Sequence, residues 1–159
     1  MKSTTPEGRE KLPLSKAMLY LLEECRMVLP GIQALFGFQL TAVFSPGFSE
    51  KLGQEDQKLH FLATVLLAVA IVLIMAPAAY HRQTCPEEAT KGFIRLSTRL
   101  LLASMLPLAV SICLELYIVG NAIVPGLSGI LVGVGIFLLS ALFWFIIPRA
   151  ARSADRAGK

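Results

Sequence analysis

The sequence predicts an all-α integral membrane four-helix bundle, with an N-terminal interfacial amphipathic helix that leads into the first span. Fifty-five per cent of the 159 residues are apolar and 16% are charged, whereas about a quarter are charged in soluble domains. The mean hydropathy is +0.65, and it comes from long apolar blocks. The Lys and Arg residues stand at the ends of those blocks, where the membrane explains them better than nucleic acid does. We therefore exclude a soluble enzyme and a nucleic-acid partner.

Four apolar stretches reach or approach the roughly 20 helical residues that are needed to cross the hydrocarbon. We predict spans over about 27–44, 59–80, 97–119 and 127–147, with the amphipathic helix at 12–27. Residues 12–148 then form a single transmembrane domain. Residues 1–11 are expected to be a disordered cytoplasmic leader. Residues 149–159 are expected to be a basic cytoplasmic tail that is disordered from Ala150 onward.

The positions of Lys and Arg predict the orientation of the chain. Thirteen of the fifteen lie before the first span, in the second connection up to Arg99 at the start of the third span, or after the fourth span. Only Lys51 and Lys58 lie elsewhere. Because cytoplasmic loops carry an excess of Lys and Arg, both termini are expected in the cytoplasm.

Two spans carry polar side chains at helical spacing, and these rows form a candidate path for an ion or a proton. The members are Arg26, Gln33 and Thr41 on the first span, and Ser104, Ser111 and Glu115 on the third. Because polar groups are costly when they face lipid, we expect both rows to face the bundle interior or a wet cavity. Helix packing alone is the alternative for the serines and the glutamine.

Glu115 is the most informative member of these rows. It lies about one helical turn inside its span, and no Lys or Arg is near it in sequence. A carboxylate within the membrane marks a functional site by default, although Glu115 can instead reach the hydrated interface. His60 and His81 mark opposite ends of the second span. A lone interfacial histidine is more often an anchor than a proton carrier, and we predict no His/Glu ligand pair.

Two further groups are expected to have structural or electrostatic roles. Gly129 and Gly133 form a GxxxG motif, which we expect to pack against the first or the second span, with homo-oligomerisation as the alternative. A cytoplasmic charge cluster is expected from Glu23, Glu24, His81, Arg82, Arg95 and Arg99. Membrane anchoring explains much of it, and a gate or anion-attracting vestibule is the functional alternative.

Motifs for catalysis and ligand binding are absent from the sequence. The three cysteines form no CxxC pair and no cluster with histidine, so we expect neither a disulfide nor a metal site. No nucleotide-binding, hydrolase or metalloprotease motif is present. We therefore expect no enzyme activity and no cofactor.

Several segments resemble a family of small bacterial membrane proteins whose domain has unknown function. They are Glu24-Cys25-Arg26 with residues 31–38, then residues 76–82, and the closing residues 143–148. The similarity runs over about residues 21–148. It implies four helices and the bacterial cytoplasmic membrane, and it carries no established site residues. Some members are labelled sodium:proton antiporters, but no aspartate lies in any span of this chain.

Three functions compete on these grounds. The first is an oligomeric ion- or proton-conducting protein that uses the two polar rows. The second is a non-catalytic accessory or scaffold subunit of a membrane complex, and the third is a small cation:proton antiporter. The expected partners are the lipid bilayer, a second copy of the chain and a protein that docks on the cytoplasmic face.

Overall fold

The structure is a computed structural model that describes residues 12–84, 90–124 and 127–157, and within these ranges it is all-α. The predicted leader 1–11 lies outside the described residues. The helices are α1 (Leu14–Val43), α2 (Gly47–Lys51), α3 (Gln54–Thr84), α4 (Lys91–Ile123), α5 (Leu127–Ala141) and α6 (Ile147–Ala157). A π-helical segment, Leu142–Ile146, joins α5 to α6. The predicted fold class, all-α, is confirmed.

Three helical runs are long and apolar enough to cross a membrane. They are Gln54–Thr84, Lys91–Ile123 and Gly129–Ala154. The first predicted span belongs to α1, which is not one of the three because Arg26, Gln33 and Gln39 dilute its apolar content. The amphipathic segment and this span form one continuous helix of 30 residues with Pro30 inside it.

The centre of the fold is the antiparallel pair α3 and α4. The buried residues of α3 lie at 60, 63, 67, 70, 74 and 77, the alternating three- and four-residue spacing of a coiled-coil seam. On α4, Ser97, Ser104 and Ser111 are buried and recur every seven residues. Small residues on both helices, including Ala63 and Ala70, let the two backbones approach closely.

The other two long helices flank this pair differently. α1 packs mainly on α3, and it turns Leu21, Cys25 and Ile32 into the core. α5 packs mainly on α4. The core of the described chain is therefore made by α1, α3 and α4, with α5 at its side.

The glycines of the GxxxG motif bring α5 against α4. A Cβ atom on Gly129 would lie 2.8 Å from the backbone oxygen of Tyr117 and 2.9 Å from the backbone nitrogen of Asn121. A Cβ atom on Gly133 would lie 3.2 Å from the backbone oxygen of Cys113. The partner of the motif is thus the third predicted span, whereas we expected the first or the second. α5 follows α4 directly in the chain, so the surface of α4 is the one closest to it.

The last helix continues past the point where we expected disorder. The N–H of Ile147 donates to the carbonyl oxygen of Leu142, which is the five-residue spacing of a π-helix. Pro148 follows and has no N–H to offer to the carbonyl of Trp144, so the helix widens here instead of ending. α6 then runs to Ala157, and the Arg149 guanidinium lies 5.4 Å from the centroid of the Phe145 ring. The tail is helical over these residues, not disordered as predicted.

We expect Gly129→Ala to destabilise the protein and Gly135→Ala not to. The first methyl group would meet the α4 backbone, whereas nothing lies within 4 Å of the second. The free energy of unfolding should fall by about 1–3 kcal/mol for Gly129→Ala. For Gly135→Ala it should stay unchanged or rise by up to about 1 kcal/mol. Denaturant unfolding in detergent, followed by circular dichroism, measures both, and equal losses would contradict the packing.

Candidate functional site

A buried polar cluster lies at the end of the fold where α1 ends and α3 begins, which we call the α2 end. Three helices contribute to it. Its members are Gln39 of α1, His60 of α3, and Ser111 and Glu115 of α4. Ser111 is fully buried and His60 is 4% exposed. We call these four residues the His60 cluster.

Both ring nitrogens of His60 have an oxygen partner. Nε2 lies 3.0 Å from the backbone carbonyl oxygen of Gln39. Because a carbonyl oxygen only accepts, Nε2 must carry a hydrogen and donate it. Nδ1 lies 2.9 Å from Oε1 of Glu115, and the Glu115 side chain is 23% exposed. The His60–Glu115 pair, which the sequence did not predict, is therefore the central feature of the site.

The 2.9 Å distance between Nδ1 and Oε1 favours a form of the pair in which the two groups share one proton. With Nε2 already protonated, an unprotonated Nδ1 would turn its lone pair toward a carboxylate oxygen, and that contact is repulsive. The pair is thus either imidazolium with carboxylate or imidazole with carboxylic acid. In both forms it is neutral and holds one exchangeable proton. Loss of that proton would leave one negative charge in a largely apolar site, which is costly.

Hydrogen bonds from the same cluster fix the helices around the pair. The Ser111 hydroxyl donates to the backbone oxygen of Ala63 at 2.8 Å, which ties α4 to α3. The Gln39 amide nitrogen donates to the Ser111 hydroxyl at 3.4 Å, which ties α1 to α4. The buried Oε1 atom of Gln39 has no hydrogen-bond partner within the described ranges. The same holds for the buried Oε1 atom of Glu115, whose 2.9 Å contact with His60 Nδ1 is an ion-pair distance without the alignment of a hydrogen bond.

A cleft of about 200 Å³ connects the pair to the surface. Apart from the pair, its described lining is apolar and includes Phe48 of α2 and Ile118 of α4. The Phe48 ring meets the His60 ring edge-on, with centroids 5.1 Å apart. Glu55 and Lys58, which precede His60 on the first turns of α3, pair with each other at 2.8 Å and are exposed. The rest of the core shields the pair from water. The cleft is thus the route by which water can reach it.

The two predicted polar rows do not face each other. Ser104 and Ser111 are buried against α3, and the Ser104 hydroxyl donates to the backbone oxygen of Leu101 at 2.7 Å. Arg26, Gln33 and Thr41 are exposed on the opposite side of α1. The expectation that the first-span row faces the interior of its own chain is wrong. The more apolar face of α1 packs on α3, and Gln39, which was not part of the predicted row, is the glutamine that contacts Ser111.

The predicted charge cluster is dispersed at the other end of the fold, which we call the α6 end. The His81 ring contacts the Phe93 ring, with centroids 5.4 Å apart. The other five members are exposed: Glu23, Glu24, Arg82, Arg95 and Arg99. Within the described part of the chain, no ion pair joins these residues to one another. Glu24 lines a cleft between α1 and α4, whereas Glu23 lies on another face of α1 beside Lys16 and Arg26.

A comparison with protein families decides the relationship that the sequence motifs suggested. The model of a family of unknown function, DUF6328, matches residues 10–148. The chain belongs to this family. The His60 cluster and the cleft between α1 and α4 both lie within the matched residues of this DUF6328 chain. No curated protein and no solved structure matches the chain.

We expect Glu115→Gln to change the nitrogen NMR signals of one of the two histidine rings. The His60 ring contacts the Glu115 carboxyl group, whereas the His81 ring contacts the aromatic ring of Phe93. Nitrogen NMR of the imidazole rings, recorded for wild type and variant under one set of conditions, follows both at once. The His60 signals should shift, because Nδ1 loses its carboxylate partner, and the His81 signals should not. His60 signals identical to those of wild type would show that the two groups do not interact.

Proposed function

We propose that this DUF6328 chain is an integral membrane protein that exchanges protons at the His60–Glu115 pair and conducts them as an oligomer. The observation that carries this proposal is the 2.9 Å contact between His60 Nδ1 and Glu115 Oε1 in a buried, largely apolar site. Such a pair holds one proton, and the adjoining cleft gives that proton a route to water. A buried ionisable pair among apolar helices is typical of proton relays in membranes.

The proposed topology has four spans, with both termini in the cytoplasm and the α2 end on the outside. In addition to the three runs that are long and apolar enough, α1 is taken as the remaining span. Its 30 residues are long enough to cross the hydrocarbon. The excess of Lys and Arg at the opposite end supports this orientation. The His60 cluster then takes its proton from the outer side.

Oligomerisation follows from where the polar side chains lie. Below the His60 cluster, the seam between α3 and α4 is filled by Leu67, Ala70 and Ile74, all of them buried. A water-filled path cannot pass through that seam within one chain. The exposed face of α1 carries Gln33 and Thr41. Exposure of these polar side chains to lipid in a bilayer would be energetically costly. We propose that these faces line the path between copies.

An accessory role in a membrane complex is the second candidate. It is favoured by the exposed polar face of α1 and by α5, which packs mainly on α4 and leaves Leu131 and Leu138 exposed. Both faces are available for contact with a different membrane protein. In this case the His60 cluster would report the outer pH to that partner without carrying current.

Proton flux into liposomes separates the two candidates. We expect the wild-type protein to dissipate an imposed pH gradient and Glu115→Gln to slow this by at least about tenfold, because the variant cannot hold the shared proton. Glu50→Gln is the matched control, since Glu50 is an exposed carboxylate at the same end. Equal flux in all three proteins would remove the pair from the mechanism. No flux in wild type would favour the accessory role.

Labelling of single cysteines tests the proposed topology. In a background in which Cys25, Cys85 and Cys113 are replaced by serine, Gln54→Cys should react with an impermeant maleimide added to intact cells. Thr90→Cys should react only after the cells are opened. Both positions are exposed. A difference in labelling between them therefore reports the side of the membrane on which each lies, and not burial. Reaction of Thr90→Cys in intact cells would reverse the orientation.

A further inference from the structure

The largest cleft among those described lies between α1 and α4 at the α6 end. Its volume is about 550 Å³. Both α1 and α4 pack chiefly on α3 and make few contacts with each other, so a wedge-shaped space remains between them. The lining is mostly aliphatic, with Leu101, Met105 and Leu108 of α4 among its members. The space is large enough for a small organic ligand, because such pockets measure roughly 300–1,000 Å³.

The charge of this cleft has a single sign. Among the residues that the structure describes, Glu24 is the only charged one in the lining, and no described Lys or Arg side chain takes part. Arg26 and Lys16, the cations closest to it along α1, lie on the face that also carries Glu23. A ligand in the cleft would therefore meet one carboxylate beside an apolar wall. Glu24 would repel an anionic headgroup there. A bare acyl chain has no polar group that could interact with Glu24.

Aromatic side chains complete the lining. Tyr20 of α1 and Trp144 of the π-helical segment both border the cleft. π-Helical turns occur frequently at functional sites, where they change the direction in which a side chain projects. The faces of tryptophan and tyrosine rings attract organic cations, tryptophan most strongly. A carboxylate, two aromatic rings and an aliphatic wall together suit a positive charge that is carried on an apolar body.

We propose that the cleft between α1 and α4 binds a lipophilic organic monocation, with its positive centre near Glu24 and its apolar groups among Trp144, Tyr20 and the aliphatic wall. This site is separate from the His60 cluster, which lies at the opposite end of the fold. The proposal does not rest on proton conduction, because binding is measured at equilibrium without a gradient.

Trp144 makes the site directly observable because it is the only tryptophan in the chain. The full chain in nonionic detergent is titrated with tetraphenylphosphonium while tryptophan fluorescence is followed, with empty micelles as the blank. Tetraphenylborate has the same shape and the opposite charge, so it serves as the matched probe. We expect a saturable change with the cation and at least roughly tenfold weaker binding of the anion.

Two neighbouring carboxylates provide the matched variants. Glu24→Gln should weaken tetraphenylphosphonium binding about fivefold to tenfold, the effect of losing one partly exposed charge partner. Glu23→Gln should bind like wild type, because Glu23 lies outside the lining of the cleft. Both residues are exposed, so neither substitution disturbs the core. Isothermal titration of Trp144→Phe, which removes the fluorescent reporter, gives a second reading that should show weakened binding.

Three results would overturn the proposal. The first is the absence of any saturable fluorescence change. The second is equal affinity for the cation and the anion, which would make the cleft an apolar groove that takes lipid chains. The third is equal weakening by Glu23→Gln and Glu24→Gln, which would indicate a general surface-charge effect.

Discussion

The close approach of α3 and α4 is the constraint on which the rest of the structure depends. Their seam includes small residues, alanines of α3 and serines of α4, and the Ser111 hydroxyl donates directly to the backbone oxygen of Ala63. This single bond fixes how far one helix is shifted along the other. One turn farther along each helix, the same register brings His60 to within 2.9 Å of Glu115. At the other end of the pair it stacks the Phe93 ring on that of Tyr80.

The position of α1 follows from this pair. The seam leaves a groove on α3, and α1 fills it with its most apolar face, including Leu21 and Ile32. The polar atoms of Gln39 then lie where α1 meets both partners. Its carbonyl oxygen accepts from His60 and its amide donates to Ser111. The α2 end is therefore tied together by hydrogen bonds, whereas at the α6 end the described residues of α1 and α4 leave a wedge-shaped cleft between them.

The two ends of the fold consequently differ in chemistry. The α2 end places the His60–Glu115 pair beneath α2 and Phe48, with one cleft as its route to water. The α6 end presents one carboxylate and two aromatic side chains in a wide apolar cleft. Both arrangements depend on how α1 lies on the α3–α4 pair.

The sequence by itself determined the properties that depend on composition and spacing along one helix. These are the all-α class, the positions of the long apolar helices and the inward face of α4, where the serines repeat every seven residues. Tertiary structure decided which face of α1 is buried, because helical spacing groups residues into faces without showing which face meets a partner. It also decided the pairing of His60 with Glu115, since these residues are far apart in the chain and meet only through the α3–α4 register. The ends of the two predicted spans give only an approximate register of α3 against α4. The packing of alanine against serine defines that register to within one helical turn.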